Sequence, residues 1–530
     1  MVKAHTEPGS PVPPIASRPL RATYGQVGLR VLARGRVGSS RWVGVLRRTA
    51  VELRGRCSAV DRTFVAASRR GARCVSLITS CCVTFALAAC TGPTVPVQQV
   101  VTAANAYPLT APPVTITLFD GFSEGVETDG FNAMVAAFEK IHPNITVDVT
   151  PNITDQQIIS AIKAGSSQAP DVAVSSASDD LGTYCADSLW VDLNGDLKAA
   201  QINVNKVFPA PLVNYTQYQG RQCALPLEND AYGLYYNKAE FAAAKISGAP
   251  KTLSQLQTDA LALTEKNPDG SFKRLGFVPS LNYFEQNLEH MTATFHLKWQ
   301  NSDNKSEIAS DPGFTAMLNW QRNLEQAILD KAPRSTAKQL NSFVEQIEAP
   351  GEFTAGENPF ETGAVAMQMD GEWRNQNIIN ETPKLKYGTA PFPVQDDDLA
   401  SYGGGYLSGT MIGIPSTSPH QAADWELIAY LAMNTPTLVA FANALYNVPS
   451  TFAALRSPAV TQDPNFQTFV AVSADESSAP APSSPDEDNY LSDAQTWEAN
   501  WEADGIGAAQ LPGQLAALDS QIDSDTAASQ

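Results

Sequence analysis

Acidic and aromatic side chains lie together at the ends of predicted strands, and they are the residues of this chain best suited to binding chemistry. Asp120 and Phe122 directly follow one apolar strand, and Asp230 and Tyr232 lead into another. Carboxylates accept hydrogen bonds from hydroxyl groups, and aromatic faces pack on C–H groups. These residue types therefore predict a site for a polyhydroxylated molecule.

A third group, containing Asp370, Glu372 and Trp373, follows a predicted strand at 364–369. A fourth, Tyr402–Tyr406, has three glycines between its tyrosines, where backbone can come close to a ligand. Trp373 also suits packing between domains, and Glu372 also suits orienting its neighbours. The candidate ligand-binding residues are Asp120, Phe122, Ser175, Ser176, Asp230, Tyr232, Phe284, Asp370, Glu372, Trp373 and Tyr406.

The elements that must position these residues begin with alternating strands and helices. The strand and helix patterns cover 114–119, 129–141, 145–149, 156–164 and 171–175. This order predicts a parallel sheet, and ligands of such sheets bind beyond the carboxyl ends of the strands. Asp120, Ser175 and Ser176 are therefore expected at one edge of the sheet.

A short apolar run ends at Leu87–Cys90 and is preceded by Arg69, Arg70 and Arg73. Basic residues, a brief apolar core and small residues before a cysteine are typical of a bacterial lipoprotein signal peptide. The pattern predicts a signal peptide at 69–89 and lipidation of Cys90, which would anchor the chain to membrane lipid. Residues 1–68 lack periodicity and are interpreted as an unstructured extension or a misassigned start.

The charge of the chain changes sharply at the predicted cleavage site. Residues after position 89 include 21 Lys and Arg against 52 Asp and Glu, a net charge of −31. Such a charge repels nucleic acid and anionic lipid. The composition therefore argues against a nucleic-acid partner and fits a protein on the extracytoplasmic face of the membrane.

Cysteine spacing predicts one disulfide. After the predicted lipid site, only Cys185 and Cys223 remain, and an oxidising compartment favours their pairing. Their spacing does not fit a CxxC metal motif, and the five histidines form no ligand set with them. No metal or other cofactor is expected.

Several segments resemble the family 1 extracellular solute-binding proteins, the sugar-binding lipoproteins of bacterial ABC importers. The matching segments are Phe119–Ser123, Phe138–Lys140, His142–Ile145, Pro170–Ala173, Leu225–Leu227, Tyr235–Lys238, Phe360–Gly363, Ala366–Met367, Asp370–Trp373 and Trp425–Leu427. The resemblance implies a two-lobe α/β fold of the periplasmic-binding-protein type II class, with hinge crossovers and a ligand cleft. It also implies ligand contacts at Asp230, Asp370 and Trp373.

The domain organisation follows from the same comparison. The expected segments are a tether at 90–112, lobe I at 113–233 and 367–416, lobe II at 234–366 and 417–510, and a polar tail at 511–530. Ser473–Asp488 is rich in Ser, Pro and acids and is expected to be a surface loop.

The function expected from the resemblance is capture of a sugar or oligosaccharide and its delivery to an ABC permease, without catalysis. Two alternatives stay open. Asp230 and Asp370 could serve as the acid and base of an extracellular glycoside hydrolase. The same fold could instead bind a peptide, polyamine or metal complex, or signal to a sensor kinase.

Overall fold

A computed structural model describes residues 107–529, apart from 123–124, 166–167, 332–334, 487–488, 504–506 and 508. The N-terminal extension, the predicted signal peptide, Cys90 and the tether up to residue 106 lie outside the described residues. The lipid anchor therefore stays a prediction.

Ten strands build the two larger sheets of the described residues. They are β1 Val114–Phe119, β2 Ile145–Thr150, β3 Val172–Ser175, β4 Leu225–Pro226, β5 Glu228–Asn237, β6 Met367–Gly371, β7 Tyr387–Ala390, β8 Leu407–Ser408, β9 Met411–Gly413 and β10 Val448–Pro449. The first sheet has the order β2-β1-β3-β9-β4. In the second sheet, β6, β7, β8 and β10 all pair with β5. The strands expected from the sequence at the start of the chain are confirmed, and β1 pairs in parallel with both β2 and β3.

The α-helices of the described residues surround these sheets. They are α1 Val126–Ile141, α2 Asp155–Lys163, α3 Leu181–Ala186, α4 Asn194–Ala199, α5 Val204–Val207, α6 Ala210–Tyr215, α7 Lys238–Ala244, α8 Leu253–Leu263, α9 Thr292–Phe295, α10 Pro312–Lys331, α11 Ala337–Glu348, α12 Pro359–Thr362, α13 Arg374–Glu381, α14 Gln421–Met433, α15 Thr435–Leu445, α16 Phe452–Leu455, α17 Pro464–Ala474, α18 Asn489–Glu502 and α19 Leu511–Ser529. Smaller paired strands are Gln217–Tyr218 with Arg221–Gln222, Glu265–Lys266 with Phe272–Arg274, and Asn282–Tyr283 with Gln286–Asn287. Among the described residues no single helix has the length and apolar composition of a membrane span, although α14 and α15, bent by 61° at their break, meet both criteria as a pair.

Strand β5 separates two hydrophobic cores. Successive side chains of a strand point to opposite faces. Ala231 and Tyr235 belong to the first core, which is built around the first sheet, whereas Tyr232 and Leu234 belong to the second core. The long, aromatic-rich strand thus contributes one face to each core.

Two of the points at which the chain passes between the two sheets are adjacent. Leu227 connects β4 of the first sheet to β5 of the second, and Thr410 lies between β8 of the second sheet and β9 of the first. The Leu227 N–H donates to the Thr410 carbonyl at 2.8 Å, so the crossings are bonded to each other. Gly409 has φ of +155°, and a Cβ there would lie 2.5 Å from the Glu228 carbonyl oxygen, so only glycine fits.

The contacts divide the chain differently from the lobes expected from the sequence. Helices α14 and α15 were expected in lobe II but contact α1, and Trp425 is buried in the first core. Met367, Met369 and Tyr406 were expected in lobe I but are buried in the second core. The apolar pattern of these segments shows that they are buried but carries no information about which core they join.

Two expectations about the C-terminal region are wrong. The segment expected to be a polar tail forms α19, which contacts α18 and buries four apolar residues in the second core: Leu511, Leu515, Leu518 and Ile522. The segment expected to be a surface loop is partly enclosed, and among its described residues Ser473, Ser484 and Asp486 are fully buried. Its many small side chains let other chain segments approach closely, which explains its composition.

The expected disulfide is confirmed. Cys185 on α3 is bonded to Cys223, with the Cα atoms 5.8 Å apart and both residues fully buried. The Arg221 guanidinium donates to the Cys185 carbonyl at 2.6 Å. The bond closes a loop of 38 residues that contains α4, α5 and α6.

Reduction of this disulfide is expected to lower the free energy of unfolding by about 4 kcal/mol, because cross-linking a loop of this length restricts the unfolded chain. The measurement is guanidinium unfolding with and without reductant. The double variant Cys185→Ala/Cys223→Ala is the control, since reductant should leave its midpoint unchanged. An equal midpoint for reduced and oxidised wild type would contradict the prediction.

Carboxyl groups are buried in several places, which is costly for their charged form. Burial and the nearby Asp171 raise the pKa of Asp424 to about 7. Burial and the neighbouring Asp370 raise the pKa of Glu352 to about 8, and burial beside Glu502 raises the pKa of Glu498 to about 10. The fold therefore favours the protonated forms of these groups.

We expect the protein to be more stable at pH 5.5 than at pH 8.5. A carboxyl whose pKa is raised on folding contributes its full stabilisation below the unfolded pKa, near 4, and loses it as the pH rises through the folded value. The folded values of about 7 to 10 place this loss across neutral pH. His142, whose pKa burial lowers, acts in the opposite sense.

The melting temperature should fall by roughly 5 °C or more between these pH values. Asp424→Asn is the matched variant, because it removes one titrating group while retaining an acceptor for the Ser418 hydroxyl. Its pH dependence should be shallower than that of the wild type. A melting temperature that rises with pH would contradict the prediction.

Candidate functional site

Three carboxyl groups come together at the first residues of β5. Glu228 and Asp230 lie on the same face of this strand, two residues apart, and Glu372 follows the neighbouring strand β6. The Ala231 N–H donates to Glu372 Oε2 at 2.8 Å, which ties the end of β6 to the start of β5. Antiparallel pairing therefore brings together Asp230 and Glu372, which are 142 residues apart in sequence.

Each of these acids has a polar partner from another segment. The Thr410 hydroxyl donates to Glu228 Oε1 at 3.0 Å. The Asn447 amide donates to Asp230 Oδ1 at 3.0 Å. Glu228 Oε2 and Glu372 Oε1 are buried and accept no hydrogen bond. The group thus retains capacity to accept bonds from a ligand.

Burial and mutual repulsion shift the pKa values of this group upward. Burial and the charge of Asp230 raise the pKa of Glu228 to about 8. Burial and the charge of Glu127 raise the pKa of Asp230 to about 6. Burial and Asp230 raise the pKa of Glu372 well above its usual range. At neutral pH Glu228 and Glu372 therefore favour their protonated forms, whereas Asp230 keeps most of its negative charge.

Asp120, at the carboxyl end of β1, is electrostatically linked to the same group. Its Oδ1 accepts a bond from the Phe122 N–H at 3.0 Å, and its Oδ2 is buried without a partner. Burial and the nearby Glu127 raise its pKa to about 6. The charge of Glu127 also contributes to the raised pKa values of Glu228 and Asp230.

Four aromatic rings lie beside the acids. The rings of Tyr232 and Trp373 meet at 90° with centroids 5.5 Å apart, and Tyr406 lies 5.3 Å from Tyr232. His290 lies 4.1 Å from Tyr232 and 4.3 Å from Tyr406. Trp373 follows Glu372 directly, and its indole N–H is buried without a partner. Aromatic faces and acceptors therefore share one location.

Gly371 sets the position of the Trp373 ring. A Cβ at Gly371 would lie 2.3 Å from the ring carbons of Trp373, far inside van der Waals contact. The indole is a large, rigid group, so it would have to move to accommodate even an alanine. The absence of a side chain at this position is what lets the ring lie against the strand end.

Asp370 is bonded to other groups of the protein. Its Oδ2 accepts bonds from the Arg374 and Gln368 side chains, each at 2.7 Å, and its Oδ1 accepts the Gly371 N–H at 2.9 Å. Arg374 is also paired with Glu352 and Glu361. The acceptor capacity of Asp370 is thus used inside the protein, where it holds a buried arginine.

Other predicted residues also lie outside the acid and aromatic group. Phe122 packs in the first core, 5.1 Å from the ring of Phe131. Ser175 is buried, and its hydroxyl donates to the Ala177 carbonyl at 3.3 Å. Ser176 is exposed beside Gly121. The Phe284 ring packs against Tyr283, 4.7 Å away.

Sequence reasoning left out several residues that the fold brings to this location. Thr410, Asn447 and Glu127 come from segments far apart in the chain and have no local pattern that distinguishes them. His290 was not among the candidate ligand-binding residues. No group of three or more metal-ligating residues is found within the described part of the chain.

Comparison with known proteins identifies the family. Residues 124–434, more than half of the chain, match the bacterial extracellular solute-binding protein family. A putative binding protein of Brucella abortus is 23% identical over 271 residues. That alignment covers 50% of this chain and 59% of the relative, so the match spans about three fifths of the relative's length.

Solved structures share the fold. CpMnBP1 with mannotriose bound is 22% identical, with a TM-score of 0.62 over 77% of this chain and 100% of that one. The sugar-binding protein MalE from Xanthomonas citri is 20% identical, with a TM-score of 0.62 over 78% and 98%. A cyclic α-maltosyl-1,6-maltose binding protein from Arthrobacter globiformis is 16% identical, with a TM-score of 0.61 over 78% and 99%.

The two-lobe α/β fold expected from the sequence is thereby confirmed. Proteins of the matching family are binding proteins that act outside the cytoplasm. On the strength of the match across 124–434, this chain belongs to the bacterial extracellular solute-binding protein family.

Proposed function

We propose that this chain captures a sugar or oligosaccharide outside the membrane and delivers it to an ABC permease. The observation that carries the proposal is that hydrogen-bond acceptors and aromatic rings occur together on one face of β5. Glu228, Asp230 and Glu372 offer acceptors for hydroxyl groups, while Tyr232 and Trp373 offer faces for C–H groups. The proposal is supported by solved proteins of the same fold that bind mannotriose and a cyclic maltose derivative.

Capture on this site requires the two cores to separate and close again. Tyr232 is 3% exposed and Tyr406 4% exposed, so a ligand can reach them only when this part of the protein opens. The paired crossings at Leu227 and Thr410 are the natural hinge, because they are short and bonded to each other. A ligand that contacts both sides shifts the population toward the closed form.

The proposal includes a membrane anchor and a partner. Lipidation at Cys90 would hold the protein on the extracytoplasmic face, near the transmembrane subunits of the permease. No cofactor is needed for capture. Asp120, at the carboxyl end of β1, is proposed as a ligand contact, with the exposed Ser176 near the adjacent Gly121.

A glycoside hydrolase has less support. That function would need Asp230 and Asp370 as acid and base, but Asp370 is occupied by Arg374, Gln368 and the Gly371 N–H. The protein family to which the chain belongs also consists of binding proteins.

The proposed function predicts that a sugar raises the melting temperature of the purified protein. At a ligand concentration of 100 times Kd, linkage adds about 2.7 kcal/mol to the free energy of unfolding. The panel is mannotriose, maltotriose, glucose and cellotriose, with glycine, a tripeptide and spermidine as non-sugar controls. A shift with a control but with no sugar would contradict sugar capture and retain the fold.

Gly371→Ala is expected to weaken binding of the sugar found in this panel by about tenfold or more, because it displaces the Trp373 ring. Trp373→Ala should have an effect at least as large. Gly195→Ala, in α4, is the matched control, since a Cβ there meets nothing within 4 Å. Calorimetry should give wild-type affinity for the control. Wild-type affinity for both site variants would remove Trp373 from the site.

A further inference from the structure

The acids at the start of β5 differ from the other buried acid of this region in having no cationic partner. Asp370 is paired with Arg374 at 2.7 Å. Within the described part of the chain, Asp120, Glu228, Asp230 and Glu372 take part in none of the ion pairs. The charges that act on them are those of other carboxyl groups. The protein thus neutralises one acid and leaves four without a counter-ion.

Three of these four acids are also incompletely bonded. Asp120 is 1% exposed, Glu228 4% and Glu372 0%, and each has one oxygen that accepts no hydrogen bond. Burying a polar atom without a partner costs free energy, and burying an unpaired charge costs more. The arrangement is therefore one that a ligand with donors, and with positive charge, would relieve.

Neutral hydroxyl groups could satisfy the acceptors but not the charge. A protonated amine supplies three N–H donors and a positive charge in one compact group. Buried carboxylates are tolerated when a cation is paired with them. A ligand amine next to Asp230 and Glu372 would serve as their counter-ion, as Arg374 does for Asp370.

The rings beside the acids define the rest of the ligand. Tyr232 lies two residues after Asp230 on the same face of β5, and Trp373 directly follows Glu372. When one group of a ligand binds the acids, the adjoining part of the ligand therefore contacts the aromatic rings. A linear polyamine has no ring to fill this place, whereas a sugar ring has apolar C–H faces. The amine and the ring are expected in one molecule.

Resting on the proposed function, we propose that the ligand is an amino sugar, a saccharide with a protonated amine that binds the carboxyl group of Glu228, Asp230 and Glu372 while its ring packs on Tyr232 and Trp373. The acids select the ammonium, and the rings select the saccharide. The site would thus discriminate against neutral and N-acetylated sugars with the same backbone.

The test compares three ligands that differ only at the C2 substituent of a β-1,4-linked trisaccharide: the glucosamine trimer, its fully N-acetylated form and cellotriose. Glucosamine, N-acetylglucosamine and glucose provide the same comparison for a single ring. Calorimetry on the full chain at pH 7 should give at least tenfold tighter binding for the amine. Its affinity should fall when NaCl is raised from 50 to 500 mM, because salt screens charge pairs.

Two variants assign the preference to the acids. Asp230→Asn and Glu372→Gln keep the size and remove the charge, so each should reduce the preference for the amine by about tenfold, a change of about 1.4 kcal/mol. Asp148→Asn, at an exposed position of β2, removes an equal charge elsewhere and should leave the preference for the amine unchanged. Circular dichroism confirms that the variants are folded.

The outcomes separate the two proposals. Neutral or acetylated sugars that bind as tightly as the amine would overturn the amino-sugar proposal and retain sugar capture. Spermidine that binds more tightly than every sugar would overturn both. If calorimetry detects no binding of any amino sugar or of any other sugar in the panel, both proposals are contradicted.

Discussion

The structure depends on one ten-residue strand, β5, that belongs to both hydrophobic cores at once. Its alternating faces place Ala231 and Tyr235 in one core and Tyr232 and Leu234 in the other. Four other strands pair with it, and each of them comes from a distant part of the chain. Because β5 carries Glu228, Asp230 and Tyr232, the element that organises the second sheet also carries the candidate site.

The same strand explains why acids are buried here. A site that closes around its ligand must remove acceptors from water, and carboxyl groups without partners make the empty closed form costly. Burial raises the pKa values of Glu228 and Asp230, because it disfavours the charged form of a carboxyl group more than their hydrogen bonds compensate. Arg374 shows the alternative solution nearby, where the protein supplies its own cation to Asp370.

This contrast distinguishes acids with and without a cationic partner in a way that residue type does not. Asp370 and Glu372 are two residues apart at the end of β6, and both are fully buried. One is saturated by Arg374, Gln368 and a backbone N–H, whereas the other keeps an unbonded oxygen beside aromatic rings. Their chemistry is nearly identical, and their roles follow from which segments pack against them.

Local patterns in the sequence determined the first strands and helices, the pairing of the two remaining cysteines and the family. Each depends on short-range spacing or composition, which a single chain displays directly. The sequence also indicated that acids and aromatics at strand ends matter. Only the tertiary structure decided which of them meet: it brought Thr410 and Asn447 to the acids, assigned α14 and α15 to the first core, and buried α19 in the second. These contacts join residues separated by hundreds of positions, and an apolar or acidic side chain does not specify which partner will cover it.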